Sequence, residues 1–243
     1  KAVKFDSQGG SLFAGVGPNS KPMLMRLTPS GEAEAPFNEA VQATLNEDLV
    51  SIVWDVVVSE SDLFVLGERR IGQSLLDFQE VVARYNFQGV LDGAFGENGT
   101  NVLEVFGGLG VRKLMFRSDD VLVVTGGPAV SLTYDGRTNT DFAEGGVLAD
   151  VPFATDALMR RDGVIFLNSP TGVWTINGDV VAPYPSDLDN LYERISVLDT
   201  QATSSSITRC AFGSVDLYCV GVFYGEDGLS TGGWAAKVSP DGA

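Results

Sequence analysis

Short apolar runs closed by polar turns recur along the chain. The clearest stretch is Val81 to Gly126. Val81-Val82-Ala83-Arg84-Tyr85 predicts a strand, Asn86-Phe87-Gln88-Gly89 a turn, and Val90 to Gly96 the lead-out. Val111 to Phe116 predicts a second strand, Arg117-Ser118-Asp119-Asp120 turns it, and Val121 to Val124 runs back to Gly126. The runs are rich in β-branched residues and bounded by Gly, Asp, Asn and Ser, the pattern of strands joined by turns. Val121 to Val124 is apolar on both faces, as in a sheet covered on both sides. No helix is predicted. The best helical window, Asn38 to Asp48, has poor apolar periodicity and reads as a connector.

The other segments are worn copies of this unit. The first runs from Ala2 to Phe37, turning at Asp6 to Gly10 and at Thr28-Pro29-Ser30-Gly31. The second opens at Ile52 and the third at Val111. The fourth turns at Arg161-Asp162-Gly163 and Asn177-Gly178, and the fifth covers Thr208 to Gly242. The glycine of the second turn makes a ruler. Gly31, Gly89, Gly136, Gly178 and Gly242 stand 58, 47, 42 and 64 residues apart, about 53 on average, within the range of propeller blades. Each copy has three clear strands and a fainter fourth.

The expected fold is all-β, a five-bladed β-propeller of about four antiparallel strands per blade, in which radial sheets cover one another's faces and leave only short edges. One domain spans 1–243, with blades at roughly 1–50, 51–109, 110–153, 154–194 and 195–243. The last blade lacks a visible outer strand. Either it has three strands, or another segment or chain fills the edge by strand addition.

Val82-Ala83-Arg84-Tyr85-Asn86-Phe87-Gln88-Gly89-Val90-Leu91-Asp92-Gly93-Ala94-Phe95-Gly96, with Gly99 beyond, resembles the bacterial delta-60 repeat: V-A-R-L, a D-G-type turn, L-D, F-G and a further Gly. Val56 to Gly67 and Leu114 to Gly126 are similar to its other half. The match is close in these two copies, fair at Met25 to Phe37 and weak in the fourth and fifth. Asp135 to Asp141 lacks the L-D step and Asn177 to Pro185 lacks the F-G step. The resemblance implies a β-propeller on a bacterial surface or in an exported protein, and it brings no catalytic residues.

The charge narrows the partners. With 16 basic and 32 acidic residues, the net charge is −16. Such a surface repels nucleic acid and anionic lipid. It serves solubility, or it marks a cation site or a basic partner. The sequence has no His, which excludes a Ser-His-Asp triad or a His-ligated metal built from these residues. No run is long enough to span a membrane. The chain starts at Lys1 and reads as a processed product, an excised segment or part of something longer.

Cys210 and Cys219 flank a hairpin about Ser214-Val215, which sets them opposite each other. Opposed residues at a non-hydrogen-bonded position lie about 4.5 Å apart at Cα, just inside disulfide range. A disulfide there indicates an oxidising compartment. The other reading is two reduced cysteines packed as small apolar groups.

Candidate chemistry falls on two long loops, Glu68 to Glu80 and Tyr224 to Gly232, of the kind that carries function in compact repeats. Arg69, Arg70, Tyr224, Glu226 and Trp234 are the candidate binding residues, since Arg and aromatic groups are the usual anchors. They suit a protein or glycan ligand. Trp54 and Trp174 read as core. Asp119-Asp120 and Asp162 read as solvated turn acids. Asp187, Asp189 and Glu193 form a weak Ca²⁺ candidate without EF-hand spacing; no other cofactor is expected. Asn98-Gly99-Thr100 reads as a turn, and Gly107-Gly108-Leu109-Gly110 as a connector. The expected function is a non-enzymatic, exported binding or structural module. The alternative is a carbohydrate-active propeller enzyme with paired carboxylates.

Overall fold

The computed structural model describes the chain apart from residues 1, 19–20, 46–48, 73–77, 105–110, 118–119, 161, 170–171, 184–203, 213–216, 225–228 and 239–243. It is all-β, with several antiparallel sheets. The strands are β1 (Ala2–Phe5), β2 (Ser11–Val16), β3 (Pro22–Leu27), β4 (Ile52–Val58), β5 (Asp62–Arg70), β6 (Phe78–Asn86), β7 (Thr100–Val102), β8 (Lys113–Phe116), β9 (Asp120–Val124), β10 (Ala129–Thr133), β11 (Val147–Leu148), β12 (Asp156–Met159), β13 (Ile165–Ser169), β14 (Gly172–Asn177), β15 (Val180–Pro183), β16 (Ser204–Phe212), β17 (Leu217–Tyr224) and β18 (Ser230–Val238). One helix, α1 (Ala35–Thr44), lies between β3 and β4. The sheets are consecutive meanders: β1-β2-β3, β4 to β7, β8 to β11, β12 to β15, and β16-β17-β18.

The chain divides into two compact units. The first holds the first three sheets and α1; the second holds the last two.

In the first unit the second sheet separates two cores. Leu63 and Val65 of β5, with Val81, Ala83 and Tyr85 of β6, enter a core shared with Leu12, Leu24, Phe37 and Val41. Their neighbours Phe64, Leu66 and Val82 enter the other, with Leu114, Val121 and Leu132. Side chains alternate across a strand, so a run apolar at every position fills both cores. Phe64 anchors the second core. Its ring meets Phe95 and Tyr134 edge-on at 5.7 and 5.4 Å and stacks on Phe116 at 5.9 Å.

The same turn closes β3, β6 and β10. Gly31, Gly89 and Gly136 have φ of 86, 78 and 85°, and each N–H donates to the carbonyl three residues back, on Thr28, Asn86 and Thr133. Only glycine takes this backbone without cost. At Gly136 a side chain would also collide, since a Cβ there would stand 2.6 Å from the Gly96 nitrogen. Gly178 has φ of 64°; Gly242 lies outside the described residues.

Six residues past each of the three ruler glycines, Phe37, Phe95 and Phe142 are buried. In the second and third copies a second turn follows the Phe, and Gly99 and Gly146 donate to its carbonyl. Asn98 sits in that turn with φ of 53°. The chain then enters the fourth strand, β7 or β11. In the fourth copy, without the F-G step, β15 returns directly through Asn177↔Val180.

Three expectations are corrected here. The connector after Phe37 is helical. Pro36 stands in its first turn, where proline's missing N–H costs nothing. Only Phe37 and Val41 turn inward, one turn apart, and Phe37 precedes the window Asn38 to Asp48. The first sheet, moreover, has no fourth strand among the described residues. Third, Asp120 is not a solvated turn acid. It is 7% exposed and accepts hydrogen bonds from Arg117, Ser131 and Asn139. Asp162 is exposed, as expected, and is held by Arg160 at 2.7 Å.

Candidate functional site

The β5–β6 ladder runs further than the sequence suggests. Glu68 pairs with Glu80, Arg69 with Gln79 and Arg70 with Phe78. Arg69 and Arg70 therefore lie on strand β5, not in the loop. Arg69 donates from Nε and a terminal nitrogen to Gln79 Oε1, at 3.2 and 3.0 Å. Arg70 is exposed, and so is Ile71 beside it, at 59%.

Behind this tip lies a charged cluster in the same unit. Glu80 is buried, and its Oε1 accepts from Arg112 Nε at 2.8 Å. Its Oε2 has no hydrogen-bond partner among the described residues. The Arg112 guanidinium lies 4.7 Å from the Trp54 ring centroid and 5.9 Å from that of Phe78, within cation–π range. Trp54 donates from Nε1 to Glu68 Oε2 at 3.3 Å. Trp54 is half-buried, at the rim of the core rather than inside it. The register of β4 against β5 shifts between Val53 and Asp55, and a bulge re-aims the side chain it carries.

Burial pushes the Glu80 carboxyl above its ordinary range. Arg112 opposes that rise, and the facing Glu68 adds to it. Asp55, next to the bulge, is 1% exposed. One oxygen accepts the Leu114 N–H at 3.1 Å; the other has no partner among the described residues. The arrangement offers an oriented cation on two aromatic faces, an opposed pair of glutamates, and an exposed arginine at its lip.

The remaining site residues lie in the second unit or outside the described residues. Tyr224 ends β17, half-buried. Trp234 pairs with Gly221 in β18, and Cys210 pairs with Cys219 across β16 and β17; for Trp234 and the two cysteines the backbone alone is described. Glu226 and the calcium candidates Asp187, Asp189 and Glu193 fall outside the described residues. Among the described residues no group of three or more acids, histidines or cysteines is placed to hold a metal. No helix there is long and apolar enough to cross a membrane.

Sequence reasoning missed Trp54, Glu68, Glu80 and Arg112. The one available signal is Glu80 itself, an acid directly before the apolar run of β6. Nothing in the order of residues ties Arg112 to it across 32 positions.

No family model matches the chain, and no curated protein matches it. Among solved structures it is similar to an acylaminoacyl peptidase in complex with Z-Gly-Gly-Phe-chloromethyl ketone, with a TM-score of 0.53 and 9% identity, covering 98% of this chain and 38% of that one. It is also similar to the extracellular domain of a hybrid two-component system of B. thetaiotaomicron, with a TM-score of 0.41 and 10% identity, covering 98% and 34%. The chain thus spans little more than a third of the length of either. At 9% identity the likeness to the peptidase concerns the fold alone, which is β-propeller-like. The expectation that the protein is not an enzyme is overturned as it stood: the fold it shares with the peptidase is part of an enzyme chain.

Proposed function

We propose that the five meanders are the blades of a five-bladed β-propeller of the delta-60 kind, exported to a bacterial surface or periplasm. It acts there as a binding module for a protein or glycan. The observation that carries this reading is the Trp54–Arg112–Glu80 cluster beneath the Arg69–Arg70 tip. Arg and Trp are the residues that dominate binding energy at interfaces, and here the cation is already oriented before a ligand arrives, which lowers the cost of ordering. The β18 edge of the last blade, which no described strand pairs, is a further place for strand addition.

The test compares the wild type with an Arg69→Ala, Arg70→Ala, Trp54→Phe variant on an array of bacterial surface glycans and on immobilised surface proteins. Binding by the wild type alone, with unchanged thermal unfolding, supports the reading. Equal binding by both excludes this end of the sheet.

A second reading rests on Glu68 facing Glu80. Directly opposed residues bring Cβ atoms within about 5 Å, and retaining glycosidases use two carboxyls about 5–5.5 Å apart, one with a raised pKa. In this reading Glu80 is the acid and Glu68 its partner. Turnover of aryl glycosides that Glu80→Gln abolishes in a folded protein supports it; no turnover by the wild type excludes it. The peptidase likeness supports a propeller as part of a larger hydrolase. With no His among these residues, a Ser-His-Asp triad in such a hydrolase would need a His from other sequence.

A further inference from the structure

We propose that the free edge of β3 is a docking site for an extended peptide, which adds as the missing fourth strand of the first sheet and ends in an acidic group beside Lys21. The argument begins with the orientation of the backbone. The Arg26 N–H donates to Asn38 Oδ1 and its carbonyl accepts from the Glu34 N–H. Both groups therefore point away from β2. Orientation repeats every second residue along a strand, so Leu24 presents its N–H and carbonyl on the same side, and Pro22 its carbonyl. No described strand pairs there, because β3 is an edge of its sheet.

A cleft of about 320 Å³ opens at that place, between β3 and α1, lined by Lys21, Pro22, Met23, Leu24, Met25 and Asn38 among others. That is the size of a small-ligand pocket and suits a few residues of chain.

The second copy shows what fits. Measured from the ruler glycines Gly31 and Gly89, Arg26 corresponds to Arg84, Leu24 to Val82 and Pro22 to Glu80. In that copy β7 occupies the edge. The Arg84 N–H donates to the Gly99 carbonyl, Val82 pairs with Asn101, and the Leu103 N–H donates to the Glu80 carbonyl. None of these bonds takes a hydrogen from position 80, so Pro22 forfeits nothing by lacking one. In the first copy the Asn38 carboxamide replaces the Gly99 carbonyl, and no described residue takes the places of Asn101 and Leu103.

The occupant's chemistry follows. An antiparallel strand begins at Asn38 and ends at Pro22. Its central residue pairs with Leu24. Its flanking residues face Met25 and Met23, adaptable apolar side chains. Its C-terminal end arrives beside Lys21, the one ionisable side chain among the described residues that line the cleft, in a protein of net charge −16. The chain's own Gly99-Thr100-Asn101-Val102-Leu103-Glu104 has this pattern, with an acid where Lys21 waits.

The probe is therefore a synthetic peptide, Gly-Thr-Asn-Val-Leu-Glu, capped at both ends so that the Glu side chain is its only acid, titrated into the whole chain labelled with ¹⁵N. The expected result is saturable binding, with amide shifts centred on Leu24, Met23 and Met25. N-methylation of the peptide's Asn, which removes the hydrogen donated to the Leu24 carbonyl, should weaken binding at least tenfold. Lys21→Glu should weaken the Glu-ended peptide several-fold more than a Gln-ended one. Absence of saturable binding would overturn the proposal. So would an N-methylated peptide that binds equally well, shifts confined to β18, or loss of the Leu24 signal with protein concentration alone, which would mean a second copy fills the edge.

Discussion

The Asn38 carboxamide brackets the Arg26 peptide: its Oδ1 accepts the Arg26 N–H at 2.8 Å and its Nδ2 donates to the Arg26 carbonyl at 3.2 Å. A single side chain on α1 thus fills, at Arg26 alone, the place on the sheet edge that the second copy fills with backbone, through Gly99. Asn38→Ala leaves the Arg26 N–H without an acceptor in the interior, at a cost of about 1–3 kcal/mol. Asn38→Asp keeps that acceptor, and the Arg26 carbonyl keeps the Glu34 N–H, so its loss is smaller. Urea unfolding of the two variants checks the order.

Arg26 and Arg84 hold equivalent places but different burdens. Arg26 Nε lies 2.8 Å from Asp6, whose side chain is fully buried, and its terminal nitrogens reach Glu34 at 2.9 Å and Gln8 at 2.8 Å. Arg84 pairs with Asp92, which is 31% exposed, and lies against the rings of Phe95 and Tyr134. Removing one partner of a buried pair strands the other charge and costs about 3–5 kcal/mol. Arg26→Met should therefore destabilise more than Arg84→Met. Adding Asp6→Asn to Arg26→Met should recover part of the loss, while Asp92→Asn should do little for Arg84→Met. A double-mutant cycle at each site reads the difference.

Acid should unfold the protein through these same carboxylates. For Asp6, burial alone would raise the pKa. The hydrogen bond from Arg26, those from the Gly10 and Gln8 N–H groups, and the Arg26 charge outweigh it and hold the group below 3.8. Asp92 is lowered by the Ala94 N–H and then by Arg84. Asp120 is lowered although burial opposes it, through Arg117, Ser131 and Asn139. A group lowered on folding binds its proton more weakly than the unfolded chain does. Its stabilisation is present above 3.8 and is lost as pH falls through the lower folded value. Unfolding midpoints should drop steeply from just above pH 4 downward, and Asp6→Asn should flatten that drop. Glu80 has the opposite sign: its contribution is complete below 4.5 and fades as pH rises through the raised value.

The hairpin of the last sheet sets Cys210 opposite Cys219. The expected disulfide closes a ten-residue loop, and such a closure contributes at most about 2–3 kcal/mol. Intact mass with and without reductant, after alkylation, should differ by two blocked thiols. Cys210→Ser should lower the thermal midpoint of the oxidised protein and leave the reduced one unchanged.

How much of this was legible beforehand differs by feature. The turns were, because Gly31, Gly89 and Gly136 are forced by positive φ and no other residue serves as well. The double-sided cores were, because Val121 to Val124 and Val81 to Ala83 are apolar at every position. The helix was not, since two inward residues, Phe37 and Val41, make too narrow a stripe. Nor was the burial of Asp120: an acid in a turn reads as solvated unless Ser131 and Asn139, eleven and nineteen residues on, are known to face it. The Glu80–Arg112 pair was hidden for the same reason. Charge partners across strands follow from register, and a list of residues does not carry register.

The central proposal is that five sheets make one ring, and small-angle X-ray scattering of the intact chain tests it most directly. A single compact body of this length has a radius of gyration of about 18 Å and one symmetric peak in its distance distribution. That is the predicted result. A clearly larger radius with a second, longer-range peak would mean two separate bodies and would contradict it.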